Sequence, residues 1–489
     1  MTNVRAPTVI PPMKESSFTG ESVLVDTDWG VTDRSGVDAL ARRYADSFGL
    51  AAAPGRRNIT LTCNRDLPDE EYRLEIRPNG IEVAACGQRG FLHALSTLTQ
   101  LRDGPVLPAG AVRDYPRLPM RGFQLMFESV RQLTADEAAK LITSAAKLKL
   151  NTVLMEFGPR FPFERHPAVR SPSALTAQEV RGLVDRAAAL GVEAIPLQQS
   201  LGHLNYLLRH DEYADIREEN EHRDQMCPLN PRSFQVFTQL AEEILAFFPG
   251  ARFMHIGADE TRRLGVCPRC REEAARTSLG DLYVGHTNKV CEWLNERGIT
   301  PILWDDILCA HPHVLDRLHE SAWLMYWDYW TTESPSPLVV ARYNPGRRRG
   351  VVVYDARWET EWERELSDVT AETLKVFAQP IAMETDLGEE FLRVYGDYLG
   401  DGFPKYIRAF PYLEYYQDQM RRVIGGPTMS GNHSDWLSLP DFPRYGRNIM
   451  AFAERCIEAR AEGLVTTAWY DYPPEILYFG LVATAHFTW

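Results

Sequence analysis

The chain has 489 residues, of which 44% are hydrophobic and 25% charged, and its formal net charge is -14. This composition excludes a disordered chain, and the length points to two to four domains or one large barrel with an accessory domain. The acidic balance excludes a general nucleic-acid binder, which needs a basic face.

In chain order, "MTNVRAPTVIPPMKESSF" has no apolar h-region of a secretory signal. No later run approaches the roughly 18 apolar residues of a membrane span, so no membrane partner is expected. The eight cysteines are scattered and do not form a disulfide framework, which fits a reducing, cytoplasmic setting. Residues 1–113 read as a small α/β domain. "NITLTCN" (58–64), "YRLEIR" (72–77) and "IEVAAC" (81–86) alternate apolar and polar residues, the last two around the hairpin signal Pro78-Asn79-Gly80. "FLHALSTLTQL" then places Leu92, Leu95 and Leu98 at helical spacing.

From 118 to 489 the rhythm changes to short apolar runs ending in polar residues. They are "RGFQLMFE" (121–128), "TVLMEF" (152–157), "VEAIPLQQ" (192–199), "FMHIGADE" (253–260), "TPILWDD" (300–306), "SAWLMYWDY" (321–329), "VIGGPTMSG" (423–431) and "GLVTTAWYDY" (463–472). Helical stretches such as 134–149, 176–190 and 231–247 separate them, and "PPEILYFGLVATAHF" supplies a last helix. Strands alternating with helices make parallel βα units, and eight of them make a (β/α)8 TIM barrel. The interval at about 331–420 exceeds one crossover and reads as an insertion that serves dimerisation or roofs the pocket, so a homodimer is allowed for. The basic cluster Arg347 to Arg349 inside it reads as a solvated loop.

A barrel of this kind places its site at the carboxyl ends of the strands. There the sequence puts His255, Asp259 and Glu260 in the closing part of the fourth run, Trp304, Asp305 and Asp306 at the end of the fifth, Trp327 and Asp328 at the end of the sixth, and Trp469 and Asp471 at the end of the eighth. Indole faces cover the C–H faces of a pyranose and carboxylates accept from its hydroxyls, so a sugar site is expected. Neighbouring strand residues point to opposite faces, so Asp259 and Glu260 can serve one site only where the strand ends. An ionised Asp259 would oppose ionisation of its neighbour and keep a proton on Glu260.

With these residues in view, the chain resembles glycoside hydrolase family 20, the β-N-acetylhexosaminidases, and within it the hexosaminidase D-like branch. The signature His-x-Gly-x-Asp-Glu is His255-Ile256-Gly257-Ala258-Asp259-Glu260; "DYPRLPMRGFQL", "IPLQQSLGHLNYLLRHDEYADIRE" and "ILWDD" are similar to other stretches of that family. The resemblance implies an exo-acting, retaining hydrolase of terminal β-linked N-acetylhexosamines whose substrate acetamido group attacks the anomeric carbon, giving an oxazolinium intermediate. It implies Glu260 as acid and base, Asp259 as the group orienting the acetamide, and His203 of "SLGHL" near the acid. It further implies Arg121, His255, Trp304, Asp305, Trp327, Asp328, Trp469 and Asp471 as substrate-binding residues. Departures from the family pattern are Met126 where an acid ends the first strand, and "MEFGPRF" where an Asp-Asp pair follows the second. Glu128 and Glu156 are the nearby carboxylates, and Asn432, His433 or a tyrosine of the insertion stands in for the tyrosine that meets the acetamido oxygen.

Two other readings stand beside this one. A catalytically weak or non-catalytic amino-sugar-binding protein on the same barrel fits the departures, and a two-carboxylate glycosidase would pair Glu260 with Asp305 or Asp306. "CPRC" (267–270) reads as a pair of reduced thiols, with half of a zinc site completed by Cys291 or His286 as the minority reading, so no metal is assigned. No phosphate loop or dinucleotide fingerprint occurs, and no cofactor is expected.

Overall fold

Tyr72, Leu74 and Ile76 are buried between outward-facing neighbours, and Ile81, Val83 and Ala85 alternate likewise. Paired antiparallel with Arg77 opposite Gly80, the two runs form a hairpin turned by Pro78-Asn79. The structure, a computed structural model, describes residues 7–128, 132–342, 351–360, 366–430, 440–469 and 473–489. Its N-terminal sheet contains β1 (Glu15–Leu24), β2 (Trp29–Arg34), β3 (Arg57–Cys63), β4 (Tyr72–Arg77), β5 (Gly80–Ala85) and β6 (Val106–Asp114), in the order β1-β6-β4-β5-β3-β2. Helix Gln88–Leu101 seals the sheet with Phe91, Ala94 and Leu98.

Eight parallel strands follow. The first six are β7 (Met120–Met126), β8 (Thr152–Glu156), β9 (Glu193–Leu197), β10 (Phe253–His255), β11 (Thr300–Trp304) and β12 (Trp323–Trp327). After an insertion containing β13 (Leu338–Ala341), β14 (Val351–Asp355) and β15 (Gln379–Ile381) come β16 (Val423–Gly426), its short continuation β17 (Thr428–Ser430) beyond Pro427, and β18 (Gly463–Ala468). Pairings of β16 with β12 and β18, and of β18 with β7, close the ring into the expected barrel. Both faces of each strand are covered, so the strands read in sequence as near-continuous apolar runs. Leu154, Leu197, Phe253, Ile302, Met325, Ile424 and Val465 fill the inside. Helices Ala135–Lys147 and Ala177–Ala189 pack outside, and each starts on a capping box, Thr134 with Glu137 and Thr176 with Glu179.

The two units meet at the amino-terminal end of the barrel, and this corrects one sequence expectation. Arg121 does not reach the sugar-binding rim. It begins β7, fully buried, and its guanidinium donates to the carbonyl oxygens of Leu118, Pro119 and Lys149 and to the carboxylate of Glu70. Asn151 donates to the same Glu70 at 2.6 Å, and Lys149 donates to Asp114 at 2.7 Å. Burial raises the cost of ionising Glu70, but Arg121, His93 and Asn151 outweigh it and hold the carboxyl well below the usual range.

Candidate functional site

Strand β10 stops at His255, five residues before Glu260, and the backbone then leaves extended geometry. Gly257, Ala258 and Glu260 have φ of 63°, 70° and 48°. Left-handed residues other than glycine cost roughly 1–2 kcal/mol each, so flanking strands must hold the turn. Ile256 donates to the Ile302 carbonyl at 2.7 Å, Trp304 to the Gly257 carbonyl at 3.1 Å, and Ser200 to the Ile256 carbonyl at 3.0 Å. The N–H of Glu260 is received by Asp306 Oδ2 at 3.0 Å. The twist lets consecutive carboxylates serve one site. Gly257 admits this path because a Cβ there would stand 1.8 Å from Gln199 Oε1.

His203, from the loop after β9, lies between the two carboxylates. Its Nε2 is 3.1 Å from Asp259 Oδ2 and 3.6 Å from Glu260 Oε2. The charge of Asp259 raises the His203 pKa to about 10, against the opposing effect of burial. The imidazolium returns the favour. Although burial pushes the Asp259 carboxyl up, His203 draws it below the usual range, so Asp259 is ionised. The expectation that Asp259 acts on Glu260 by repulsion alone is amended: a cation stands between them, and Arg262 adds a second, 2.7 Å from Glu260 Oε1. Gly202 allows the approach, since a Cβ there would meet the Asp259 carbonyl oxygen at 2.6 Å.

Beneath this pair lie more carboxylates. Glu156, at the end of β8, accepts from Gln124 at 2.9 Å and Gln199 at 3.1 Å. Burial first, and the charge of Glu156 second, raise Glu128 to about 7. Burial and Asp259 raise Asp306 to about 7 as well.

Aromatic side chains surround the group. Trp304, from β11, packs against His255 with ring centroids 4.5 Å apart and planes tilted by 53°, and lies 6.0 Å from Trp469. Trp469 donates its indole hydrogen to the Tyr329 hydroxyl at 2.7 Å, and Tyr329 stacks on Trp327 at 5.1 Å. His255 is fully buried, and burial lowers its pKa to about 3. Its Nδ1 accepts from the Gly257 N–H at 3.0 Å, so the neutral ring carries its hydrogen on Nε2. That Nε2, the indole nitrogens of Trp304 and Trp327, Asp259 Oδ1, Asp306 Oδ1 and Gln199 Oε1 are all buried without a hydrogen-bond partner among the described residues. Such atoms are costly unless a ligand or water meets them, and here they cluster around one strand end.

The structure thus brings His203, His255, Asp259, Glu260, Trp304, Trp327 and Trp469 together. It turns two expected substrate-binding residues away. Asp305 is fully buried and accepts from the Tyr416 hydroxyl and the Cys309 thiol, both at 2.9 Å. Asp328 caps its own loop, accepting from the N–H groups of Trp330 and Thr331 and the Thr331 hydroxyl. Both corrections have one cause: a strand-end position fixes the rim but not the side-chain direction. Asp471, Asn432 and His433 lie outside the described residues.

Tyr329 and Arg342 were not expected as site-building residues, and Asp306 was expected on the rim only as a carboxylate, not as the acceptor of the Glu260 N–H. Arg342 follows β13 of the insertion, and its guanidinium lies 3.7 Å over the Trp327 ring and donates to the Trp327 carbonyl. Its charge faces Asp305 and Asp306. Only its place after the apolar run "LVVA" marks it in the sequence.

Comparison with known proteins points to one family. A family model described as "Glycosyl hydrolase family 20, catalytic domain" matches residues 120–344, and one described as "Glycosyl hydrolase family 20, domain 2" matches residues 6–115. A beta-hexosaminidase of Akkermansia muciniphila is 27% identical over 292 residues, covering 51% of this chain and 58% of that protein. Hexosaminidase D of Homo sapiens is 30% identical over 195 residues, covering 37% of this chain and 39% of that protein. The chain therefore spans less than two thirds of the length of these relatives. Among solved structures, a beta-N-acetylhexosaminidase from Bacteroides fragilis superposes with a TM-score of 0.69 at 15% identity, covering 98% of this chain and 90% of that one. This last likeness is one of fold.

Proposed function

The chain belongs to glycosyl hydrolase family 20, and from that premise we propose that it is an exo-acting, retaining β-N-acetylhexosaminidase using substrate-assisted catalysis. One observation carries the reading. Asp259 is ionised, gives one oxygen to His203, and keeps its buried Oδ1 without a partner among the described residues. A buried, charged acceptor without a donor fits an acetamido N–H. Taking that hydrogen would turn the amide oxygen towards the anomeric carbon and balance the charge that develops there.

In this reading the amide oxygen attacks the anomeric carbon of a terminal GlcNAc or GalNAc while Glu260 protonates the departing glycosidic oxygen. Glu260 then takes a proton from the water that opens the oxazolinium, and the product keeps its β configuration. Glu260 is partly exposed and paired with Arg262, so substrate entry must exchange that ion pair for the glycosidic oxygen. Trp304, Trp327 and Trp469 would line the sugar, and the unpartnered indole N–H groups of the first two would meet its oxygens. Asp306 positions Glu260 through the backbone. Eight cysteines without a disulfide support a reducing, cytoplasmic setting as part of the same proposal.

The test is hydrolysis of an aryl β-N-acetylglucosaminide and its galacto epimer, with and without a thiazoline mimic of the oxazolinium. Competitive inhibition by the mimic is expected, and hydrolysis indifferent to it would contradict the scheme. Glu260→Gln should lower kcat by roughly 10²–10⁴ on substrates with poor leaving groups, and an unchanged rate there would remove Glu260 as the acid.

A further inference from the structure

The Cys-x-x-Cys of the fourth βα loop is not an isolated pair of thiols. Cys227, forty residues earlier in sequence, places its Sγ 3.6 Å from Cys267 Sγ and 3.5 Å from Cys270 Sγ. Together with a carboxylate oxygen of Glu218, the three sulfurs lie within 4.8 Å of one another. The residues expected to complete such a site are elsewhere: His286 bonds the Ser200 carbonyl at 2.9 Å, and Cys291 is buried in the helix Leu279–Asn295. We infer that Glu218, Cys227, Cys267 and Cys270 form a structural zinc site that ties the loop carrying His203 to the loop carrying Asp259 and Glu260.

Geometry is the first support. Zinc bonded tetrahedrally at about 2.3 Å to each thiolate separates the sulfurs by about 3.8 Å, close to the spacings found here. A disulfide would need about 2.05 Å, and all three cysteines are unpaired. The Cys270 N–H donates to Cys267 Sγ at 3.3 Å, a bond that favours a thiolate at the start of the helix Pro268–Arg276.

Glu218 supplies the second, independent support. It is 2% exposed, and its Oε1 accepts from the N–H groups of Val266 at 2.8 Å and Cys267 at 3.1 Å. Its Oε2 is buried without a hydrogen-bond partner, and no ion pair of Glu218 occurs among the described residues. A buried carboxylate beside three sulfurs and without a cation is expensive; a divalent ion removes that cost. Three soft sulfurs with one oxygen suit zinc better than magnesium or calcium. The thiols release their protons to solvent as hydrated zinc binds.

Placement gives the site its role. The segment from Gln198 to Cys227 carries His203, and the segment from Asp259 to Cys270 carries the acidic pair. Arg263 already donates to Gln225 Oε1 across the seam at 2.9 Å. Zinc would fix the seam covalently, holding His203 at its distance from Asp259 and Glu260 without touching substrate.

The experiment measures metal in the full-length protein purified under reducing conditions. About one zinc per chain is expected, released when a mercurial blocks the thiols. Cobalt(II) in its place should give the visible bands of a tetrahedral thiolate complex. Cys227→Ser and Cys270→Ser should lose the metal, whereas Cys291→Ser and Glu260→Gln should keep it. Wild-type protein that carries no zinc and takes none up from zinc chloride overturns the proposal. So does recovery of Cys267 and Cys270 as a disulfide from the reduced preparation, or full zinc retention in Cys227→Ser. The wild-type measurements stand even where the serine variants do not fold, and none depends on hexosaminidase activity.

Discussion

His203 is the residue on which the charge balance of the mouth turns. It faces Asp259 and Glu260 directly and lies within the field of Glu156 as well. Its pKa rises from 6.5 unfolded to about 10 folded, so the pairing contributes stability that is complete below pH 6.5 and lost as pH climbs through 10. Proton NMR of the imidazole should therefore show His203 still charged at pH 8. In Asp259→Asn the titration should fall towards the ordinary range, and the alkaline loss of stability should become shallower. A His203 that is neutral at pH 7 in the wild type would refute the pairing. The histidine was legible in sequence through its Gly-His context, but its partners were not, because Asp259 lies 56 residues further along the chain and no local pattern links them.

At the scale of elements, the site depends on how β10 ends. The apolar runs made the barrel strands legible, since strands buried on both faces carry the pattern whole. Edge strand β1, "ESSFTGESVL", escaped notice because nearly all its residues are exposed. The left-handed turn after His255 was legible only as Gly257, and the fate of Asp305 and Asp328 was not legible at all, because spacing does not set side-chain direction at a strand end. Gly202→Ala probes the seam between the third and fourth loops. Its new Cβ would press on the Asp259 carbonyl, and a displacement of about 1 Å at a reacting group can cost about 10²-fold. Steady-state kinetics should show kcat lowered by roughly 10–100-fold with circular dichroism unchanged. Wild-type kcat in this variant would mean that the loop contact does not position the pair.

For the whole molecule, the small domain is coupled to the barrel through a buried charged layer at the end opposite the site. Lys149 and Arg121 lie over the Trp489 ring at 4.4 Å and 5.0 Å, so the last residue of the chain closes the same layer. Arg121 stands at the second of seven residues of β7, about 16 Å from the strand's carboxyl end at roughly 3.3 Å per residue. Strand polarity alone could have told it apart from a rim residue. Arg121→Ala leaves Glu70 buried without its main cation, and urea unfolding should show a loss of roughly 3–5 kcal/mol. KM for an aryl glycoside should stay unchanged in the folded fraction; a large rise in KM without destabilisation would restore Arg121 to the sugar site.

The central claim is that the substrate's own amide is the nucleophile and Asp259 its orienting group. The most direct measurement is a rate series on aryl glycosides whose N-acetyl group carries none, one, two or three fluorines. Each fluorine withdraws electrons from the amide oxygen, so kcat/KM should fall steeply along the series. A flat series, as an attacking protein carboxylate would give, contradicts the account.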